Sequence, residues 1–270
     1  MSGALRFATY LAPNIRPAYE AVAEHAGRAL GVPTELAVGR GYERLETGEE
    51  DVAFICGLPY VVLADRPNPP VELLAAPVLQ GERYGDRPIY FSDVIVRRDD
   101  PARSFADLRG RSWAFNEPES HSGYGVTRAK LAELGETNGF FGRVVESGFH
   151  QRSIRLVASG DVDASAIDSQ VLEIELREHP ELSETIRAID ALGPSTIQPI
   201  VAASRLSSTL RQELREAIVG MAADASMRDR LASVLVRRFA PVRDQDYDDI
   251  RDMMAAADAA GLEGFGPSIG

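Results

Sequence analysis

The sequence predicts an α/β protein of two lobes, each a mixed, mostly parallel sheet flanked by helices, with a ligand cleft between them. Three observations predict it. Strand-like and helix-like stretches alternate twice along the chain, and such alternation builds parallel sheets covered by helices. Two strand-like runs, 89–96 and 197–203, link the alternating regions as crossings. The 270 residues, 44% of them apolar, suffice for one large or two medium cores. The crossings assign residues 1–88 and 197–270 to one lobe and 89–196 to the other.

Leu5–Tyr10 reads as a short strand, broken by Pro13 and Asn14. Ile15, Tyr19, Val22, Ala26 and Leu30 then mark one face of a helix that Gly31 ends. Thr34–Val38 is a second strand, a helical turn follows around Tyr42–Leu45, Asp51–Ile55 is a third strand and Leu58–Ala64 is helical. After a proline-rich break, Val71–Leu79 is strand-like, Gly81–Pro88 is a polar loop and Ile89–Val96 is a long strand. The second alternation starts at Phe105–Leu108 and runs through strand Ser112–Phe115, helix Gly123–Leu134, strand Arg143–Val145 and helix Gln151–Ala158. It continues with strand Val162–Ile167, helix Ser169–His179 and strand Ile186–Leu192. Gly193-Pro194 reads as a turn and Ile197–Ala203 as a strand. The remainder reads as helical: a stripe from Leu210 to Met221, a helix over Ser226–Val236 and another from Tyr247 to Ala257, then a tail from Gly261.

Acidic residues outnumber basic ones 41 to 29, giving a net charge of -12. That argues against nucleic acid and against anionic membrane surfaces as partners. A bound anion must therefore be captured by local donors against an unfavourable overall field. Cys56 is the only cysteine, so no internal disulfide forms, and its apolar setting reads as packing. The first residues show no charged segment followed by an apolar run, and no stretch is long enough to span a bilayer. A cytoplasmic location fits the chain as given; a periplasmic or lipid-anchored one fits if a leader was removed. A monomer is expected.

Asn116–Gly125, Asn-Glu-Pro-Glu-Ser-His-Ser-Gly-Tyr-Gly, is the stretch most suggestive of a site. It joins strand Ser112–Phe115 to a helix, so Ser120 or Ser122 can cap that helix. A helix start carries unpaired N–H groups and the positive end of the peptide dipole. Two hydroxyls, the imidazole of His121 and Gly123, which permits close backbone approach, crowd onto that end. The combination suits an oxyanion; an ordinary cap would need only one Ser. The dipole disfavours protonation of His121, whereas a bound anion would favour it, so affinity that depends on a charged imidazole should fall with rising pH.

Asp51-Val52-Ala53-Phe54-Ile55-Cys56-Gly57-Leu58-Pro59-Tyr60, then Phe115–Tyr124, Gly148-Phe149-His150, Val157–Ala164 and Ile167-Asp168-Ser169 occur in order along most of the chain. Together they resemble the phosphonate, phosphate and phosphite solute-binding proteins of ABC importers. The resemblance implies a type II periplasmic-binding fold that closes on a small oxyanion, and a possible ABC permease as partner. It assigns anion contacts to Ser120, Ser122 and His150, with Tyr42, Tyr60 and Tyr90 as phenolic donors. Relatives that bind aminophosphonates use acids where Gln170 and Gln198 stand here, and glutamine offers an ammonium group no charge. The implied ligand is a phosphonate, phosphate-like or sulfonate-like anion without an amine. Phe149 and His121 also depart from the family pattern, which places small polar and hydroxyl residues there.

Asp168 ends a strand and reads either as a helix cap or as a ligand contact that orients His150 or a ligand hydroxyl. His121, His150 and Asp168 also make a metal-like set, but metal would leave the serines idle, so neither metal nor cofactor is expected. No nucleophile turn, P-loop or His-Glu-x-x-His is present. The enzyme alternative is a cytoplasmic protein of the same fold acting on a small anionic metabolite, as in menaquinone- or thiamine-precursor chemistry.

Overall fold

A computed structural model describes residues 3–136, 138–262, 264 and 265. Most of the expected tail lies outside them. In chain order the elements begin β1 (Leu5–Thr9), α1 (Arg16–Leu30), β2 (Thr34–Val38), α2 (Glu43–Thr47), β3 (Val52–Phe54), α3 (Gly57–Ala64) and β4 (Val71–Leu79). Next come β5 (Ile89–Arg97), β6 (Ser112–Phe115), α4 (Val126–Glu133), β7 (Arg143–Glu146), α5 (His150–Ser159), β8 (Ala164–Asp168), α6 (Ser169–Glu178) and α7 (Leu182–Thr185). The rest are β9 (Ile186–Thr196), β10 (Ile200–Ala203), α8 (Ser208–Gly220), α9 (Ala225–Ser233), β11 (Val236–Ala240) and α10 (Asp248–Ala259). None of the helices among the described residues is long and apolar enough to cross a membrane.

Contacts group the chain into two units, Met1–Ile89 with Thr196–Asp248, and Tyr90–Ser195 with Asp249–Gly270. The first holds a six-stranded sheet in the order β11-β4-β10-β3-β1-β2. Its β1 pairs parallel with β2 and β3, while β10 runs antiparallel to β3 and β4. The second holds a five-stranded sheet in the order β7-β6-β8-β5-β9. There β6 pairs parallel with β7 and β8, and β5 runs antiparallel to β8. Both sheets are mixed and flanked by helices, as the α/β expectation requires, but the first is not mostly parallel, since three of its five pairings are antiparallel.

The core of the second unit is aromatic. Trp113 stacks on Phe141 with centroids 4.6 Å apart, and Phe105 stacks on Phe140 at 5.6 Å. Ser112 donates its N–H and hydroxyl to Asp163 at 2.7 and 2.6 Å, pinning β6 beside the loop before β8. The parallel trio β7-β6-β8 therefore ends in register, and its carboxyl ends are where open α/β sheets bring functional loops together.

Four further expectations need correction. The stretch after Ser233 is not helical to Val236: Leu235 adopts φ +66° and redirects the chain into β11, an edge strand on β4. Five residues with two arginines carry too short an alternation to announce a strand. Gly193-Pro194 is no turn but lies within β9, which runs to Thr196. An edge strand tolerates proline because the missing N–H has no obligatory partner. The strand expected at Ile197 starts at Ile200. Finally, the described residues from Asp249 to Phe265 group with the second unit, not with 197–248. Arg128 of α4 holds them there, donating to Asp258 Oδ1 at 2.7 Å and to the Leu262 carbonyl at 2.6 Å.

Candidate functional site

The carboxyl end of β6 opens into Asn116–Glu119 and then a π-turn over His121–Gly125 that leads into α4. Gly125 N–H bonds the Ser120 carbonyl at 3.0 Å, five residues back, and Val126 N–H bonds that of His121. Such wide turns within helices recur at functional sites. The helix therefore starts two residues before the expected Gly123. Ser120 is its N-cap, its hydroxyl accepting from Gly123 N–H at 3.2 Å. Gly123 is required by proximity: a Cβ there would lie 2.0 Å from Asn116 Oδ1.

The neighbouring strand β7 ends in Ser147-Gly148-Phe149, and α5 begins at His150. Ser147 and Gly148 N–H groups bond the carbonyls of Phe115 and Asn116 at 2.8 and 2.7 Å, locking this loop to the first. Gly148 sits at φ +84°, a left-handed conformation that costs other residues about 1–2 kcal/mol. Gly148→Ala should lower stability by that amount, read as a lower urea midpoint with an unchanged slope.

The two loops bring one side-chain chain together. Ser120 Oγ lies 3.2 Å from Ser122 Oγ, and Ser122 Oγ lies 2.8 Å from His150 Nε2. All three residues are buried. His150 Nδ1 is buried without a hydrogen-bond partner, as is Asn116 Oδ1. His121, fully buried, sends Nε2 to Ser195 Oγ of β9 at 3.0 Å, and Ser195 lies 3.9 Å from Met253 Sδ. Burial lowers both imidazoles from 6.5 to about 4, so both rings are neutral at pH 7. Glu117, in the same loop, is pushed above the usual carboxylate range by burial, with Glu119 and Glu146 adding repulsion.

The other sequence-selected residues fall as follows. Asp168 Oδ1 accepts from Gln170 and Val171 N–H at 2.8 and 3.3 Å, which is the cap of α6. Tyr90 is buried on β5, two residues before Ser92, the partner of Asp168 across the sheet. Tyr42 and Tyr60 belong to the first unit. Tyr42 stacks on Tyr10 at 4.4 Å, and the Tyr60 hydroxyl donates to Asp244 Oδ1 at 2.7 Å. Among the described residues no group of three or more His, Cys, Asp or Glu side chains is placed to hold a metal ion. Asn116 and Ser195 were missed. Asn116 lay inside the selected stretch, where a close approach to Gly123 left no trace in spacing; Ser195 follows Gly-Pro, and only the sheet brings it to His121.

The family model described as "ABC transporter, phosphonate, periplasmic substrate-binding protein" matches residues 7–247. Among solved structures, a binding protein component of an ABC phosphonate transporter from Pseudomonas aeruginosa superposes with a TM-score of 0.83 at 19% identity, over 97% of this chain and 88% of that one. PhnD1 from Prochlorococcus marinus (MIT 9301), in complex with methylphosphonate, gives 0.79 at 18% identity, over 96% and 99%. A Xanthomonas citri protein bound to ATP gives 0.72 at 17% identity, over 97% and 98%. At such identities these structures share the fold.

Proposed function

Because this chain belongs to the phosphonate substrate-binding protein family of ABC transporters, we propose that it captures a small oxyanion on the loop from Ser120 to Gly123 and on His150. The observation that carries this reading is the buried bonded chain Ser120–Ser122–His150 at the start of α4. A hydroxyl that accepts from one neighbour keeps its own proton to donate, so Ser122 can pass a hydrogen bond to an anion while His150 holds it in place. The helix start adds the positive end of the peptide dipole. Neutral rings suit this role, since each offers one N–H without burying a charge. His121 holds the loop to β9 through Ser195, and Tyr90 on β5 is a further phenolic donor. Family membership favours binding over turnover, and an ABC permease is the corresponding partner.

The ligand is a phosphonate, phosphate-like or sulfonate-like anion without an amine. Gln170, buried just after the Asp168 cap, brings no negative charge to an ammonium group, and Phe149 beside His150 presents an exposed ring (61%). Isothermal titration with methylphosphonate and 2-aminoethylphosphonate tests this. Methylphosphonate should bind at least as tightly; a tenfold preference for the amine would refute the assignment.

A further inference from the structure

We infer that Phe265, near the end of the chain, is a positioning residue for the oxyanion loop, an inference that rests on the binding reading above. Phe265 is buried, and its ring meets Tyr124 at 4.7 Å, Phe115 at 5.3 Å and Phe141 at 5.9 Å. Phe115 is the last residue of β6 and Tyr124 lies in the π-turn, so these two bracket the residues that carry Ser120, Ser122 and Gly123. Their own rings are 5.4 Å apart. The ring of Phe265 thus packs against both ends of the loop, and the distance between those ends sets how the loop is shaped.

The segment that delivers Phe265 is tied to the same helix. Arg128 of α4 bonds the Leu262 carbonyl and Asp258, and its guanidinium lies 5.5 Å from the Tyr124 ring centroid. Asn138 Nδ2 donates to the Gly261 carbonyl at 3.0 Å. Tyr124 is only half-buried, and the π-turn has the wider hydrogen-bond spacing of a helix that tertiary packing must hold. Tilted and edge-on rings at these separations attract and resist sliding, which makes the aromatic contact directional.

The test compares Phe265→Ala, Phe265→Leu and a control, Phe140→Ala, in the full chain. Phe140 sits in the same core but packs on Phe105 and Phe141 rather than on the loop. Each variant is titrated with methylphosphonate well below its unfolding midpoint. Phe265→Ala should lose at least tenfold in affinity, and Phe265→Leu should recover most of it. Phe140→Ala should lose stability while its affinity stays within twofold of wild type. Phe265→Ala binding within twofold of wild type, or Phe140→Ala losing affinity to the same extent, overturns the inference. Should Phe265→Ala fail to fold, Phe265→Leu decides alone: its Ser122 and Gly123 amide resonances should move while those of α6 stay, and unmoved loop amides overturn it. The wild-type titration separates the two failures. A wild-type protein that binds neither methylphosphonate, phosphate, phosphite nor methanesulfonate overturns the binding reading and this inference with it.

Discussion

Acidification from pH 7 to pH 4 should cost this protein several kcal/mol of stability, most of it through two buried imidazoles. His121 and His150 titrate at about 4 in the folded chain because burial opposes their charge. In the unfolded chain they titrate near 6.5. Between those values the unfolded state binds more protons, so stability is fully present above about pH 6.5 and drains away as pH falls to about 4. At about 1.4 kcal/mol per tenfold change in proton affinity, each ring contributes on the order of 3 kcal/mol. Glu117 pulls the other way, since its carboxyl is held above the usual range. Asp51 acts only at lower pH. Burial alone would raise it, but hydrogen bonds from Arg6 and Arg205 more than offset that and hold it below the usual range. Urea midpoints measured every half pH unit should fall steeply through this window, and His150→Gln should flatten the fall. A midpoint constant from pH 7 to pH 4.5 would show that the rings are not buried as described.

Ser122→Ala should weaken methylphosphonate binding by about ten- to a hundredfold. Ser122 is the middle of the bonded chain, with Ser120 Oγ on one side and His150 Nε2 on the other. A hydrogen bond to a charged group contributes about 1.5–3 kcal/mol, and removing this hydroxyl also leaves His150 Nε2 buried without its partner. Ser122→Thr keeps the hydroxyl and should retain most of the affinity. Titration calorimetry at pH 7 reads both variants, and an alanine variant that binds like wild type would remove Ser122 from the site.

Much of the fold was legible because the periodicities are local. The stretch Val71–Leu79 and the helix ended by Gly31 are written in runs of apolar residues and a left-handed glycine, which need no tertiary partner to be recognised. What escaped depended on pairing. β11 exists because β4 offers it an edge, and Gly193-Pro194 stays within β9 because an edge strand tolerates the missing donor. The return of α10 to the second unit rests on Arg128, whose partners lie 130 or more residues away.

The candidate site divides the same way. Ser120, Ser122 and Gly123 stand together on one strand-to-helix turn, which a local reading can pick out, whereas His150 entered through the family resemblance. The Ser122–His150 bond itself was not legible, since it needs β6 and β7 in register. Asp168 makes the bonds of a helix cap, one of the two readings that its place at the end of a strand allowed.

The central claim is that an oxyanion nests at the start of α4, against His150. Its most direct test is a crystal structure of the protein grown with methylphosphonate. The account predicts phosphonate oxygens within about 3 Å of Ser122 Oγ and of at least one further donor among Ser120, the 121–123 amides and His150. Methylphosphonate bound away from that turn, with the Ser120–Ser122–His150 chain untouched, would contradict it.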